Sequence, residues 1–225
     1  MKVAVVSDIH SNIRAFREVL SRIDADSIIC AGDLVGYYLH PGEVIDEVRD
    51  RDMTCVRGNH DHAVVDWPPG HFNPAARRAL ELNREKLDES RLSFLEDLPL
   101  RRELELDGTE TVLVHGSPND PSKYVYPRHV DPSFLERNDV VEEDIVVMGH
   151  THVPFVKHVD GTLVLNPGSV GQPRDGNPGA SYAVIDTGEM DATVRRVEYD
   201  LDPVVEEVGD SSLPDSLGER LRRGR

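Results

Sequence analysis

Five short apolar runs, each followed by a segment of carboxylate, imidazole or carboxamide side chains, constrain this chain more than any other feature. The runs are Val3 to Val6, Ile28 to Ala31, Met53 to Val56, Val112 to Val114 and Ile145 to Met148. The segments that follow are Asp8-Ile9-His10, Gly32-Asp33, Gly58-Asn59-His60-Asp61, His115-Gly116 and Gly149-His150-Thr151-His152. Short apolar runs bounded by glycine and polar turns read as buried strands, so every polar segment is expected at a strand end. In an open α/β sheet that rim is where ligands bind. One such dipeptide says little; five in one structural setting point to a site.

The first half alternates strand and helix. A strand over residues 2 to 7 leads through Ser11 and Asn12 into a helix over 13 to 23, with Ile13, Phe16, Leu20 and Ile23 at helical spacing. A second helix opens at Pro41 and carries Val44, Ile45 and Val48. Such repeats predict a parallel sheet with right-handed crossovers. Residues 62 to 99 form a helical insert: a loop at Trp67-Pro68-Pro69-Gly70, then helices over Ala75 to Leu87 and Arg91 to Leu98, capped by Asn73 and Ser90. Because it lies between two polar segments, the insert is expected to overhang the site. Beyond Pro99 come shorter strands joined at Asp107-Gly108, Asp160-Gly161 and Thr187-Gly188, which predict hairpins and a second sheet. The expected fold is α/β, a two-sheet β-sandwich flanked by helices in an α/β/β/α arrangement. It forms one domain over residues 1–199, followed by a charged tail over 200–225 with a disordered end.

At 225 residues the chain can bury a core without disulfides. Cys30 and Cys55 lie in or beside strand runs and read as buried reduced thiols. No stretch has the apolar length to span a bilayer and no signal-like segment opens the chain, so a cytoplasmic protein is expected. Asp plus Glu number 42 against 25 for Lys plus Arg, a net charge of −17. An acid-rich, lysine-poor surface is what a protein adapted to concentrated salt would carry. It also disfavours nucleic acid as a partner, which calls for a basic face.

In an extended stretch, residues two apart project to the same face, so Asp8 and His10 can bind one ion, and His150 and His152 either one or two neighbouring ions. Asp33 has two carboxylate oxygens and can bridge two metals. Asn59 adds a carbonyl oxygen and His115 another imidazole. Seven nitrogen and oxygen donors without cysteine exceed a closed tetrahedral site. They favour a pair of manganese, iron, zinc, cobalt or nickel ions, manganese first. Two such ions about 3.5–4 Å apart promote in-line displacement at phosphorus. His60, next to Asn59 but pointing differently, is the candidate acid. Asp61 either orients or raises the pKa of that ring, or caps the following segment. Arg57 and Arg174 would contact a substrate phosphate or form structural ion pairs. Tyr37, Tyr38 and His40 line the entrance or pack the loop, and His62, His71, His129 and His158 have no assigned partner.

Ser7-Asp8-Ile9-His10, Gly32-Asp33, Gly58-Asn59-His60-Asp61, His115-Gly116 and Gly149-His150-Thr151-His152 together resemble the motif set of the calcineurin-like metallophosphoesterase superfamily. The resemblance spans residues 7 to 152. It implies a two-sheet sandwich, a dinuclear site and hydrolysis of phosphomonoesters or phosphodiesters. Motif by motif, it implies Asp8, His10, Asp33 and His152 on one metal, and Asp33, Asn59, His115 and His150 on the other. It also assigns leaving-group protonation to His60. Asn166-Pro167-Gly168-Ser169 and Gly32 to Tyr37 resemble the small bacterial and archaeal branch. The Asp-Arg-Gly of the protein phosphatases is absent; Gly36, Tyr37 and Tyr38 stand there, which speaks against phosphoprotein substrates. The expected activity is therefore hydrolysis of a small soluble phosphoester. The competing expectations are a nuclease, disfavoured by charge, and a protein-docking scaffold, disfavoured because no donor is missing.

Overall fold

Side chains on β1 (Lys2–Val6) alternate: Val3 and Val5 enter one apolar cluster and Val6 enters another on the opposite face. That two-residue period marks a strand covered on both sides. The computed structural model, which describes residues 1–68 and 72–225, builds two five-stranded sheets on this pattern. In the first, β1 pairs in parallel with β2 (Ser27–Cys30), and β2 with β3 (Thr54–Cys55). On the other side of β1, β9 (Ala180–Asp186) and β10 (Asp191–Val197) are added antiparallel. The second sheet runs in the order β4 (Arg101–Leu106), β5 (Thr109–Val114), β6 (Ile145–Val147), β8 (Thr162–Asn166), β7 (Phe155–Val159), parallel at its centre and antiparallel at both edges. The sheets meet face to face through Val3, Val5, Ile29, Leu113, Val147, Leu163 and Leu165.

Helices cover the outer faces. α1 (Ile13–Arg22) starts where the Asn12 side chain accepts from Ala15 N at 3.1 Å, and it buries Ile13, Phe16 and Val19. α2 (Pro41–Asp50) buries Val44, Ile45 and Val48 in the same cluster. On the far sheet, Val112, Val146 and Val164 are covered by Val125, Val130 and the Phe134 and Leu135 of α6 (Pro132–Arg137). The sandwich expected from the strand pattern is the fold observed, and its hairpin turns lie at Asp107-Gly108 and Asp160-Gly161, all four residues at positive φ.

Three local expectations need correction. First, the third polar segment does not continue a strand: β3 is two residues long, and Asn59 and His60 open α3 (Asn59–Val65). Gly58 is extended at the N-cap and Asp61, at the third helical position, accepts from Gly58 N at 2.9 Å, which starts the helix early. α4 (Pro74–Lys86) is capped by Asn73 as expected, but α5 (Glu89–Asp97) is capped by Asp88, whose carboxylate accepts from Arg91 N at 2.9 Å. Ser90 instead lies within the first turn. Of the expected loop at 67–70, Pro69 and Gly70 lie outside the described residues, as does His71.

Second, Asp8, His10, Asp33, His150 and His152 are not extended; their φ values are 53°, 51°, 56°, 67° and 59°. Left-handed backbone at non-glycine residues is strained and persists where the surroundings over-determine it. Here Asp8 N donates to Gly32 O at 2.9 Å, His10 N to Asp33 O at 3.0 Å and Ser11 N to Leu34 O at 2.9 Å.

Third, the charged tail is helical. α7 (Asp202–Gly209), α8 (Ser216–Arg223) and the turn between them bury Val204, Val208, Leu213, Leu217 and Leu221 against Tyr37, Tyr38, Leu39, Ala76 and Ala79. One apolar residue per turn suffices to seat two short helices when the surface beneath is already apolar. No helix among the described residues is long and apolar enough to cross a membrane.

Two expected outcomes follow from this packing. Leu217→Ala removes a fully buried side chain and should lower unfolding free energy by about 2–5 kcal/mol in a denaturant melt, whereas a disordered tail would give no change. Gly58→Ala should disturb the loops after β2 and β3, since a Cβ there would overlap Asp33 Oδ1 and Asp33 N. A melting temperature and crystal structure identical to those of the parent chain would contradict that.

Candidate metal centre

All seven expected donors converge where the loops after β1, β2, β3, β5 and β6 meet, and Asp8, His10, Asp33 and His115 are at most 1% exposed. They form two groups that share Asp33. In the first, His152 Nε2 lies 3.1 Å from His10 Nε2 and 3.2 Å from Asp8 Oδ1, and His10 Nε2 lies 3.7 Å from Asp33 Oδ2. In the second, His115 Nε2 lies 3.3 Å from Asp33 Oδ2, 3.1 Å from Asn59 Oδ1 and 3.1 Å from His150 Nδ1. Asp33 is oriented for sharing: Oδ1 accepts from His60 N at 2.8 Å, which leaves Oδ2 facing both groups.

The histidine tautomers show what the groups fit. His10 Nδ1 lies 3.0 Å from Val35 O, His115 Nδ1 2.7 Å from Ala31 O, His150 Nε2 3.1 Å from Ser122 O and His152 Nδ1 2.5 Å from Gln172 O. A carbonyl oxygen only accepts, so each of these nitrogens carries the proton and the other presents a lone pair inward. Lone pairs of His10 and His152 thus face each other, as do those of His115 and His150. Beside them Asp8 Oδ1 is buried without a hydrogen-bond partner among the described residues, while Oδ2 accepts from Ser7 Oγ and His150 N. Converging lone pairs and carboxylates repel one another unless cations lie between them. Nitrogen and oxygen donors without sulfur suit divalent first-row ions, so these residues fit the metal pair.

The electrostatics agree. Burial works against protonation of His115, yet the Asp33 carboxylate overrides it and pushes the pKa up to about 10, so the inward nitrogen of this ring holds a proton that a cation beside Asp33 would displace. Burial also opposes ionisation of Asp8, but His152 and His115 hold it below the usual carboxylate range. For Asp33 burial is likewise outweighed, chiefly by His115 and His60. Both ligand-type carboxylates are therefore anions, while burial holds His10, His150 and His152 below the usual imidazole range and so favours their neutral, lone-pair form.

The remaining candidates separate clearly. His60 is 4% exposed, and its ring lies 4.7 Å from those of His10 and Tyr37 and 4.9 Å from that of Phe72 in the insert. Its Nδ1 has no partner among the described residues, and burial, reinforced by Arg174, lowers its pKa to about 4 against the pull of Asp33. Asp61 does not orient that ring. Its Oδ2 accepts from Gly58 N and Asp33 N, both at 2.9 Å, and its Oδ1 from Val35 N at 3.1 Å. Arg57 points away, toward the Glu96 carbonyl. His62 pairs with Asp66, His40 with Glu43 and Glu207, His158 with the Met190 carbonyl, and His129 accepts from Tyr126 N.

Three supports went unpredicted. Asn83 of α4 is fully buried; its Oδ1 accepts from Ser11 Oγ and Gly36 N, and its Nδ2 donates to Tyr38 O. A polar residue on the apolar face that carries Ala76, Ala79 and Leu80 was the available signal. Tyr124 stacks on His150 with centroids 4.0 Å apart, and no spacing in the sequence announced it. The Asn166 to Ser169 turn props the first loop from behind, Ser169 Oγ donating to Asp8 O at 2.7 Å and Asn166 Nδ2 to Gly149 O at 2.6 Å.

Comparison with known proteins places this geometry. Residues 1–190 match the model of the calcineurin-like phosphoesterase superfamily domain. An uncharacterised protein of Methanocaldococcus jannaschii is 36% identical, covering 99% of this chain and 98% of its own. The phosphodiesterase YfcE of Escherichia coli is 28% identical over 83% of this chain and 88% of its own. The crystal structure of a metallophosphoesterase from Sphaerobacter thermophilus superposes with a TM-score of 0.86 at 33% identity, covering 100% of this chain and 99% of that one. A family match over residues 1–190, the two-sheet frame and the converging donors agree, and the chain belongs to the calcineurin-like phosphoesterase superfamily.

Proposed function

We propose that this protein hydrolyses a small soluble phosphoester, a diester or monoester, with two divalent transition-metal ions, manganese favoured. Asp8, His10, Asp33 and His152 would hold one ion, and Asp33, Asn59, His115 and His150 the other. The observation that carries the reading is the pair of lone-pair clusters that share Asp33 Oδ2. The phosphodiesterase activity in the name of the Escherichia coli relative supports the same chemistry. When bound, the ions supply Lewis acidity, lowering the pKa of a nucleophilic water and offsetting charge at phosphorus.

The chain's own groups do the rest. Four backbone carbonyls fix the imidazole tautomers, so the donor atoms are set before any ion arrives. Asp61 ties Asp33 to the start of α3 and is a positioning residue. His60 lies beside His10 and Asp33, which supports a role for its ring in giving a proton to the departing oxygen. A phosphoester's negative charge next to that imidazole favours its protonated form.

Protein loaded with manganese is expected to turn over bis-p-nitrophenyl phosphate or p-nitrophenyl phosphate; inactivity on both with metal bound, shown by mass spectrometry, would sink the proposal. His60→Asn should lower kcat by about 10²-fold or more with two ions still present, and unchanged turnover would remove His60 as the acid. Asp33→Asn should instead reduce metal stoichiometry, because it weakens both clusters at once. Full occupancy in that variant would show that Asp33 is not shared.

A further inference from the structure

Arg174 lies beside the first donor cluster and next to the aromatic ring that stacks on the second. Its backbone N donates to His152 O at 3.2 Å, which fixes the residue at the first cluster. Its side chain lies 5.6 Å from the centroid of the Tyr37 ring, which in turn packs edge-on to His10 at 4.6 Å. On the opposite side it neighbours Tyr124, the ring stacked on His150 of the second cluster. Nη2 donates to the Tyr37 hydroxyl at 3.0 Å and to Gln172 Oε1 at 2.9 Å, and Nε to the same oxygen at 3.3 Å. Among the described residues the guanidinium forms no ion pair with a carboxylate, while the Tyr124 hydroxyl and the Asp8 carboxylate lie near enough to favour its charge.

That arrangement is incomplete without an anion. In a chain with 42 acidic residues against 25 basic ones, a guanidinium held by an amide and a phenol, with no carboxylate hydrogen-bonded to it among the described residues, has room for an anionic partner. Beside two clusters that fit cations, a fixed positive charge is favourable with a negative group between them. The fork geometry of arginine suits phosphoryl oxygens. A phosphodiester has two non-bridging oxygens; a phosphomonoester has a third, which suits a guanidinium that no carboxylate occupies among the described residues.

We infer that Arg174 is a substrate-binding residue that grips the third non-bridging oxygen of a phosphomonoester, so that monoesters are the preferred substrates. This rests on the dinuclear phosphoesterase reading above. Tyr37 and Gln172 hold the guanidinium in place and tie that preference to the loop after β2.

Manganese-loaded wild type, Arg174→Met and Arg174→Lys are compared by calorimetric titration with orthophosphate, which needs no turnover, and by kcat/KM on p-nitrophenyl phosphate and bis-p-nitrophenyl phosphate. Arg174→Met should weaken orthophosphate binding by at least about tenfold and lower the monoester-to-diester ratio of kcat/KM by a similar factor, through a raised monoester KM. Arg174→Lys, which keeps the charge but not the fork, should fall between and remains informative if the methionine variant does not fold. Orthophosphate affinity within about twofold of wild type in a folded, metal-loaded variant overturns the assignment. Wild type that binds orthophosphate but turns over neither ester overturns the hydrolase reading, while the Arg174 comparison still decides the anion site.

Discussion

A buried carboxylate with no catalytic contact organises the centre. Asp61 accepts hydrogen bonds from the backbone N–H groups of Gly58, Asp33 and Val35, and so joins the start of α3 to the loop that leaves β2. Charge-assisted bonds of this kind are among the stronger ones available inside a protein. Removing this acceptor would leave three amides without a partner in a site closed to water. Burial, with the Asp33 carboxylate nearby, raises the Asp61 pKa, and the backbone bonds oppose that shift. Without this tie, Asp33 Oδ1 would lose its fixed relation to His60 N, and Oδ2 its aim at both clusters.

The strand-end segments made the donor set legible, because chemistry-bearing side chains follow apolar runs at all five positions. The sandwich was legible for the same reason: β1, β5, β6 and β8 are apolar on both faces and must be buried between layers. The backbone at the donors was not. Nothing in Asp8-Ile9-His10 distinguishes an extended stretch from one with two left-handed residues, since the difference is imposed by Gly32, Asp33 and Leu34 carbonyls from another part of the chain. The roles of Asp61 and Asn83 were hidden for a similar reason, as their partners lie far away in sequence.

The tail shows a different kind of blindness. Its charge drew the reading toward disorder, yet Val204, Val208, Leu213, Leu217 and Leu221 recur at four- to five-residue intervals. A weak apolar stripe is insufficient alone and sufficient against a prepared surface. That surface is Tyr37 to Leu39 with the Ala76 and Ala79 face of α4, so the tail's order depends on the entrance loop and the insert together.

The clasp of α8 over Tyr37 to Leu39 also sets an order of events in synthesis. Every donor has been made by residue 152, yet the loop that carries Tyr37 lacks its cover until residues 213–221 emerge. His152 and Asp8 wait on later residues too, since Gln172 O accepts from His152 Nδ1 and Ser169 Oγ donates to Asp8 O. The donor-type side chains are thus complete in sequence well before they are fixed in space.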